Sequence, residues 1–408
     1  MHITILNQFY IPGLAPTGHL AASLADHRAS LGDQVTVVTS RGGYVPAEDS
    51  EGMETLSNPR VLRIWTPQLG KEGTFKRIID YAAFFIGASF RTAILAPQDI
   101  IITLTTPPFI GLVALLHKAL HRRTKIILWN MDCYPEILER TGVIKPRGLL
   151  DRLLLAVNHV IFARLDHLVC LDSAMLRLLS DRYLRSGGRP AVSVIPNWEP
   201  LALFPPDLQT LSLKTLPEFK TEDHFVVLYL GNAGFGHRFE SIVEAAERLQ
   251  DEGIDFLFVG GGEKWAWLEQ AIKAKSLTNV HLHPYVAKEL TPSVMGTADC
   301  ALITMNEDAL GVISPSKLHS NLAMKLPILY VGPPGSNVDD AIQRFDVGAS
   351  LREGDVEGII SFLRRVRLDR TLYHAYAENA RAAFEAAYAD SVTLPQFDDI
   401  LSSLRLSE

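Results

Sequence analysis

The chain has 408 residues, 47% of them hydrophobic and 21% charged, with a formal net charge of −7. That length exceeds one ordinary core and suits two domains. The composition excludes a disordered, collagen-like or coiled-coil chain, and no uncharged apolar run reaches about 18 residues, so no spanning helix is expected.

Cys133, Cys170 and Cys300 lack disulfide or metal spacing, and the opening Met-His-Ile-Thr-Ile-Leu enters a strand-like run without the features of a secretory leader. A cytoplasmic, reducing compartment is the expectation. Charge is uneven: residues 60 to 195 hold 19 Lys and Arg against 10 Asp and Glu, and the remainder is acidic. A basic first half suits a phosphorylated ligand or an anionic lipid surface.

Strand-like runs alternate with helical patterns at the spacing of β–α–β units. The first half predicts strands at 2–7, 34–39, 61–65, 100–103, 125–130, 167–171 and 193–196. The turn from Pro12 to Gly18 precedes a helical run from His19, and a glycine at position 18 lets backbone approach a phosphate or sugar ring. It is not the dinucleotide GxGxxG, and an ordinary tight turn reads the same way. The aromatic-rich stretch from Lys71 to Leu95 is flanked by Lys71, Lys76, Arg77 and Arg91. It suits a helix lying in a bilayer interface, and equally a core helix. After the fifth strand, Asp132 and Glu136 stand where an acceptor hydroxyl can be held or deprotonated.

A Pro-rich connector, Pro196-Asn197-Trp198-Glu199-Pro200 then Phe204-Pro205-Pro206, divides the chain into a first domain over 1–199 and a second over 200–385. The second half predicts strands at 225–230, 255–259, 280–283, 300–304, 328–331 and 348–351. Between the first of these and a helix at 239–249 runs Gly231-Asn232-Ala233-Gly234-Phe235-Gly236-His237-Arg238. Three glycines there can curl around an anion, with His237 and Arg238 as positive groups. Gly260-Gly261-Gly262 reads as an exit turn.

Ser314 is predicted as an N-cap, with Pro315 at the first helical position. The free N–H groups of Ser316, Lys317 and Leu318, with the Lys317 charge, then form a diphosphate site. A helical pattern over Leu363 to Phe384 precedes an amphipathic segment, Pro395 to Leu406, and residues 386–408 are expected to pack back on the first domain.

Together these motifs resemble the family 4 glycosyltransferases, and among them bacterial enzymes that build exopolysaccharide of the colanic-acid type. The resemblance rests on the Pro12 to Gly18 loop, the Asp132-Cys133-Tyr134-Pro135-Glu136 turn, Pro196-Asn197-Trp198, Gly231-Asn232-Ala233-Gly234 and Pro315-Ser316-Lys317-Leu318. It implies an α/β chain of the GT-B fold, two doubly wound Rossmann-like domains facing across a cleft, with acceptor on the first and nucleotide-sugar on the second. It implies a retaining hexosyltransferase that moves a sugar from a UDP- or GDP-sugar to a hydroxyl of a glycan or lipid-linked acceptor. The setting implied is bacterial surface polysaccharide synthesis at the inner membrane face, with no nucleic acid partner.

On this resemblance Gly18, Gly231, Asn232, Gly234, His237, Arg238, Ser316, Lys317, Leu318 and Ser320 hold the donor, and Asp132, Arg238 and Lys317 act in catalysis. No metal or other cofactor is expected, since Asp-x-Asp clusters and His/Cys constellations are missing from the sequence and Lys317 with Arg238 can replace a divalent ion. The family's two glutamates eight positions apart fall on Val312 and Ser320, leaving the donor ribose without its usual contact. The family's histidine near a first-domain strand end also has no counterpart, Met131 or Asp132 occupying the area. Two other readings stay open: a nucleotide-sugar epimerase of the same fold, and a catalytically silent GT-B scaffold of a polysaccharide assembly.

Overall fold

Near-continuous aliphatic runs such as Ile100–Thr103 and Lys125–Asn130 form strands because both faces of their sheet are covered: Ile101, Ile102, Ile126 and Ile127 are all fully buried. The computed structural model describes residues 1–13, 15–41, 57–69, 74–184, 190–204, 224–287 and 290–406. Leu14 of the first glycine turn, Lys71, and Pro205 and Pro206 of the connector lie outside the described residues. The chain forms two units, one of Met1–Leu171, Met175–Pro196 and Leu394–Glu408, the other of Asp172–Ala174 and Asn197–Thr393.

The first unit holds a parallel sheet of β1 (His2–Leu6), β2 (Gln34–Ser40), β3 (Arg60–Ile64), β4 (Ile100–Thr103), β5 (Lys125–Asn130), β6 (His167–Cys170) and β7 (Ala191–Val194), in the order β3-β2-β1-β4-β5-β6-β7. The edge strand β7 starts two residues earlier than predicted, registered by Leu168↔Val192. The connecting helices are α1 (Pro16–Ser30), α2 (Thr74–Ala93), α3 (Gly111–Leu120), α4 (Glu136–Arg140), α5 (Leu149–Phe162) and α6 (Ser173–Leu179). A π-helical turn, Ser180–Leu184, follows α6.

The second unit repeats the plan with β8 (Phe225–Asn232), β9 (Ile254–Gly261), β10 (Val280–His283), β11 (Cys300–Thr304), β12 (Ile328–Val331) and β13 (Gly348–Leu351), ordered β10-β9-β8-β11-β12-β13 and parallel throughout. Its helices are α7 (Glu240–Arg248), α8 (Trp265–Lys275), α9 (Thr291–Met295), α10 (Lys317–Ala323), α11 (Asn337–Phe345), α12 (Val356–Leu368) and α13 (Arg370–Ala387). The predicted helical stretch from Leu363 to Phe384 is broken at Asp369, whose extended backbone ends α12 and whose carboxylate accepts from the Leu372 N–H to cap α13. A last helix, α14 (Asp390–Leu406), has its residues from Leu394 in the first unit. There Phe397 is fully buried edge-on to Trp129, ring centroids 4.8 Å apart, and Asp398 accepts from Arg28 at 2.6 Å and lies 2.9 Å from His27 Nε2.

In each sheet the strand order reverses once, between β1 and β4 and between β8 and β11. Ligands of such sheets bind beyond the strand carboxyl ends at that reversal, which is where the candidate residues of each unit collect.

Candidate functional site

In the second unit the site begins with two strands that run farther than their composition predicts. β8 extends through Gly231 and Asn232, which pair with Gly260 and Gly261 of β9, so these glycines are ladder residues rather than loop. Gly231 sits at φ +125°, and a Cβ there would stand 2.8 Å from Lys317 Cε. Glycine at 231 therefore leaves the space in which the Lys317 side chain lies over the strand end.

Lys317 is the first residue of α10. Its Nζ donates to the Tyr229 hydroxyl at 2.8 Å and to the Asn232 carbonyl at 3.5 Å, lies 3.3 Å from His237 Nε2, and stands 4.3 Å from the Tyr229 ring centroid. The Tyr229 hydroxyl in turn donates a hydrogen bond to the Asn232 carbonyl at 2.9 Å. No carboxylate is among these partners, and burial lowers the Lys317 pKa to about 7. A desolvated ammonium held by neutral acceptors has the charge to receive an anion.

His237 departs from its expected role as a positive group. Its Nδ1 faces the Thr304 carbonyl at 2.8 Å, which can only accept, so Nδ1 carries the proton and Nε2 is left as an acceptor for Lys317. Burial, and then the Lys317 charge, lower its pKa to about 3, and the ring is neutral. It positions the lysine instead of adding charge. Arg238, the next residue, is exposed to solvent.

The helix start also differs from prediction. Ser316 takes the cap position in a helical conformation without a side-chain cap bond, and Pro315 precedes the helix with its carbonyl held by Asn337 Nδ2 at 3.1 Å. Ser314 is not the cap, because that bond from α11 fixes the chain outside the helix until Ser316. Leu318 is fully buried, so only its backbone N–H faces outward from the first turn. Ser320 directs its hydroxyl to the Lys317 carbonyl at 3.4 Å, and Val312 is fully buried. Gly234 closes the loop by accepting from the His237 N–H at 3.2 Å.

Sequence reasoning passed over Tyr229, Thr304 and Tyr285. Tyr229 reads as a core strand residue, yet its hydroxyl is the first acceptor for Lys317; Thr304 ends β11 beside the strand reversal; and Tyr285 reaches the Asn232 side chain at 3.4 Å. The one signal for the first two is their place at the carboxyl ends of the strands flanking the reversal.

In the first unit Gly18 has a packing reason: a Cβ would meet the Tyr10 backbone at 3.0 Å, where the first turn of α1 lies on the chain leaving β1. Asp132 follows β5, and the N–H groups of Met131 and Asp132 donate to the Thr105 hydroxyl at 3.2 and 3.1 Å. Burial raises the Asp132 pKa to about 6. The residue borders a shallow, narrow pocket lined mainly by apolar side chains such as Leu104, Phe109, Ile161 and Phe162. Glu136 is turned inward: its carboxylate accepts from the Tyr183 hydroxyl at 2.6 Å with Arg182 at 3.4 Å, while Asn158 ties Tyr183 to the Tyr134 carbonyl. It braces the turn that carries Asp132.

Two profiles match the chain in tandem, "Glycosyl transferase 4-like domain" over residues 17–198 and "Glycosyl transferases group 1" over residues 217–383. The chain is a family 4 glycosyltransferase of the GT-B fold. It is 23% identical over 405 residues to the putative colanic acid biosynthesis glycosyl transferase WcaI of Escherichia coli (strain K12), covering 93% of this chain and 96% of the relative. It is 25% identical over 306 residues to the probable glycosyltransferase WbjE of Pseudomonas aeruginosa, 73% of each chain. Among solved structures it shares its fold with WaaG, a glycosyltransferase involved in lipopolysaccharide biosynthesis, at a TM-score of 0.67 and 16% identity, covering 98% of this chain and 99% of the other. It shares it also with HepE of Anabaena in complex with UDP and glucose, at 0.69 and 14%, covering 99% and 100%.

Proposed function

We propose that the chain transfers a sugar, with retention of anomeric configuration, from a UDP- or GDP-sugar to a hydroxyl of a glycan or lipid-linked acceptor in bacterial surface polysaccharide synthesis. The observation that carries this reading is the Lys317 ammonium, desolvated among Tyr229, Asn232 and His237 with no carboxylate beside it among the described residues. A donor diphosphate supplies the missing negative charge. As the bond to the sugar breaks, charge grows on the departing phosphate, and a cation already in place stabilises it without reorganisation. The first-turn N–H groups of Ser316, Lys317 and Leu318 and the exposed Arg238 add to that field.

Asp132, beside an apolar pocket and with its pKa near 6, is suited to hold the acceptor hydroxyl. The likeness to WcaI, a putative colanic acid biosynthesis glycosyl transferase, favours surface polysaccharide as the setting, and the HepE complex with UDP and glucose favours a UDP-sugar as donor. No metal takes part in this reading, because two cationic side chains supply the charge a divalent ion would contribute; chelator should leave the transfer rate unchanged.

The deciding experiment is a panel of nucleotide sugars scored for donor hydrolysis and for labelled sugar in a lipid extract, with Arg238→Ala alongside. Labelled extract supports transfer, altered donor stereochemistry without acceptor points to an epimerase, and failure of calorimetry to detect UDP or GDP points to a silent scaffold. Arg238→Ala with undiminished nucleotide affinity removes that residue from the site.

A further inference from the structure

The first unit holds a second cation that the fold leaves without a counter-charge. Arg63 lies one residue before the carboxyl end of β3, and its Nη2 donates to the Ile11 carbonyl at 2.7 Å, on the chain leaving β1. That is the guanidinium's one hydrogen bond among the described residues, and its Nε is buried with no acceptor. No described carboxylate pairs with it: burial lowers the Arg63 pKa, and the titratable group that acts against this is the Tyr10 hydroxyl. A guanidinium carries five N–H donors and keeps its charge in any protein, so a half-buried one with a single acceptor is under-satisfied.

The acids of the neighbouring helices do not fill the gap. Asp26, on α1, acts on the Tyr10 hydroxyl and forms no pair with Arg63, and Asp80, on α2, accepts from the Leu69 N–H at 3.1 Å.

Two more residues continue the same face of the sheet. Side chains two apart along a strand point the same way, so Trp65, the residue after β3, follows Arg63 on that side. The Arg41 N–H donates to the Ile64 carbonyl at 2.8 Å, which carries the parallel ladder one step past β2 and sets Arg41 beside Trp65. Arg41 is exposed and Trp65 is 65% exposed, so most of the indole packs on nothing within the fold. Two guanidiniums offer paired N–H donors that match phosphate oxygens, and an open indole offers an apolar plane to the C–H face of a sugar.

We propose that Arg63 and Arg41 bind the phosphate of a phosphorylated sugar whose ring stacks on Trp65. All strands of this sheet are parallel, so the three residues stand at the same end of it as Asp132, which follows β5. That the bound sugar serves as acceptor rests on the sugar-transfer reading above; the anion site itself stands on Arg63, Arg41 and Trp65 alone. A soluble sugar phosphate and the diphosphate of a lipid-linked sugar present the same group to the arginines.

The test is titration calorimetry of the full chain with glucose, glucose 1-phosphate, inorganic phosphate and farnesyl diphosphate, each in excess UDP so that the Lys317 site is filled. Glucose 1-phosphate should bind and glucose should not. Its affinity should fall about 10- to 100-fold in Arg63→Gln, the range for a lost charge-assisted bond. It should fall about three- to tenfold in Trp65→Ala, which leaves inorganic phosphate affinity unchanged. Tighter binding of farnesyl diphosphate than of glucose 1-phosphate supports the site with a lipid-linked source, and the reverse order supports it with a soluble one. Circular dichroism reports whether each variant is folded; should Arg63→Gln not fold, Arg41→Gln with Trp65→Ala, both on exposed residues, carries the test.

No binding of either phosphate ester at millimolar concentration overturns the proposal, as does wild-type affinity in Arg63→Gln. Binding that excess UDP abolishes also overturns it, since that anion belongs to the donor site. Should UDP itself fail to bind while Arg63→Gln still weakens glucose 1-phosphate, the donor reading falls and this site stands, so the two fail separately.

Discussion

Lys317 Nζ lies 3.3 Å from His237 Nε2, and the two cannot both be charged. The Thr304 carbonyl fixes the proton on Nδ1, which leaves the imidazole neutral and turns its free nitrogen toward the ammonium. A histidine set in this way positions the lysine without adding a second positive charge beside it.

Replacing Lys317 with methionine should separate binding from stability. The half-buried cation loses its penalty, so the melting temperature at pH 7 should rise, by about 2–4 °C for each kcal/mol of relieved desolvation. Nucleotide diphosphate affinity should fall about 10- to 100-fold, the range for a lost charge-assisted bond. Differential scanning fluorimetry and calorimetry measure the two, and a stable variant with intact affinity would remove Lys317 from the site.

Donor binding should take up a proton. With its pKa near 7, Lys317 is mostly neutral at pH 8 in the free protein, and a diphosphate beside it favours the charged form. Uptake should be small at pH 6, where the lysine is already protonated, and approach one proton per site at pH 8 and above. Titration calorimetry in buffers of differing ionisation enthalpy reads this directly. The stability sign follows the same shift: the native pKa lies below the unfolded one, so the Lys317 penalty is full below about pH 7 and fades toward the unfolded lysine pKa.

Gly231→Ala is expected to act at a distance from the nucleotide. At φ +125° a side chain is strained, and its Cβ would press on Lys317 Cε. A stability loss of about 1–3 kcal/mol should appear in chemical denaturation, together with weakened nucleotide affinity as the lysine is displaced.

Asp132→Asn should flatten the pH profile of sugar transfer. In the native chain kcat/KM should rise through about pH 6 as the carboxylate ionises, and the amide has no such step. Because burial raises this pKa, ionisation is penalised in the fold, and the stability favoured at low pH declines between the unfolded carboxylate pKa and about 6. The amide variant should therefore be the more stable protein above pH 6, and UDP affinity should be unchanged.

Phe397→Ala should cost about 3–5 kcal/mol, since the ring is fully buried against Trp129 and its loss opens a cavity in the first unit. Denaturation monitored by Trp fluorescence tests it. A neutral result would mean that α14 contributes little to that core.

The sequence by itself determined the repeated alternation of strand and helix, and so two doubly wound sheets, because aliphatic runs buried on both faces and helices of period 3.6 are local patterns. It marked the glycines at 18 and 231 and the lysine at 317, and the five motifs in order named the family. What only the tertiary structure decided is which groups meet. Lys317, Tyr229, His237 and Thr304 come from four separate segments, and burial where they meet sets the lysine near pH 7 and, with the lysine's charge, the histidine far below it. Ser314 looked like the cap because cap preference is local, whereas the bond from Asn337 that delays the helix to Lys317 comes from another helix. The residues of α2 are apolar on both sides, and a sequence cannot say which side the sheet takes; packing against it buried Phe84 and left Ile86 in solvent.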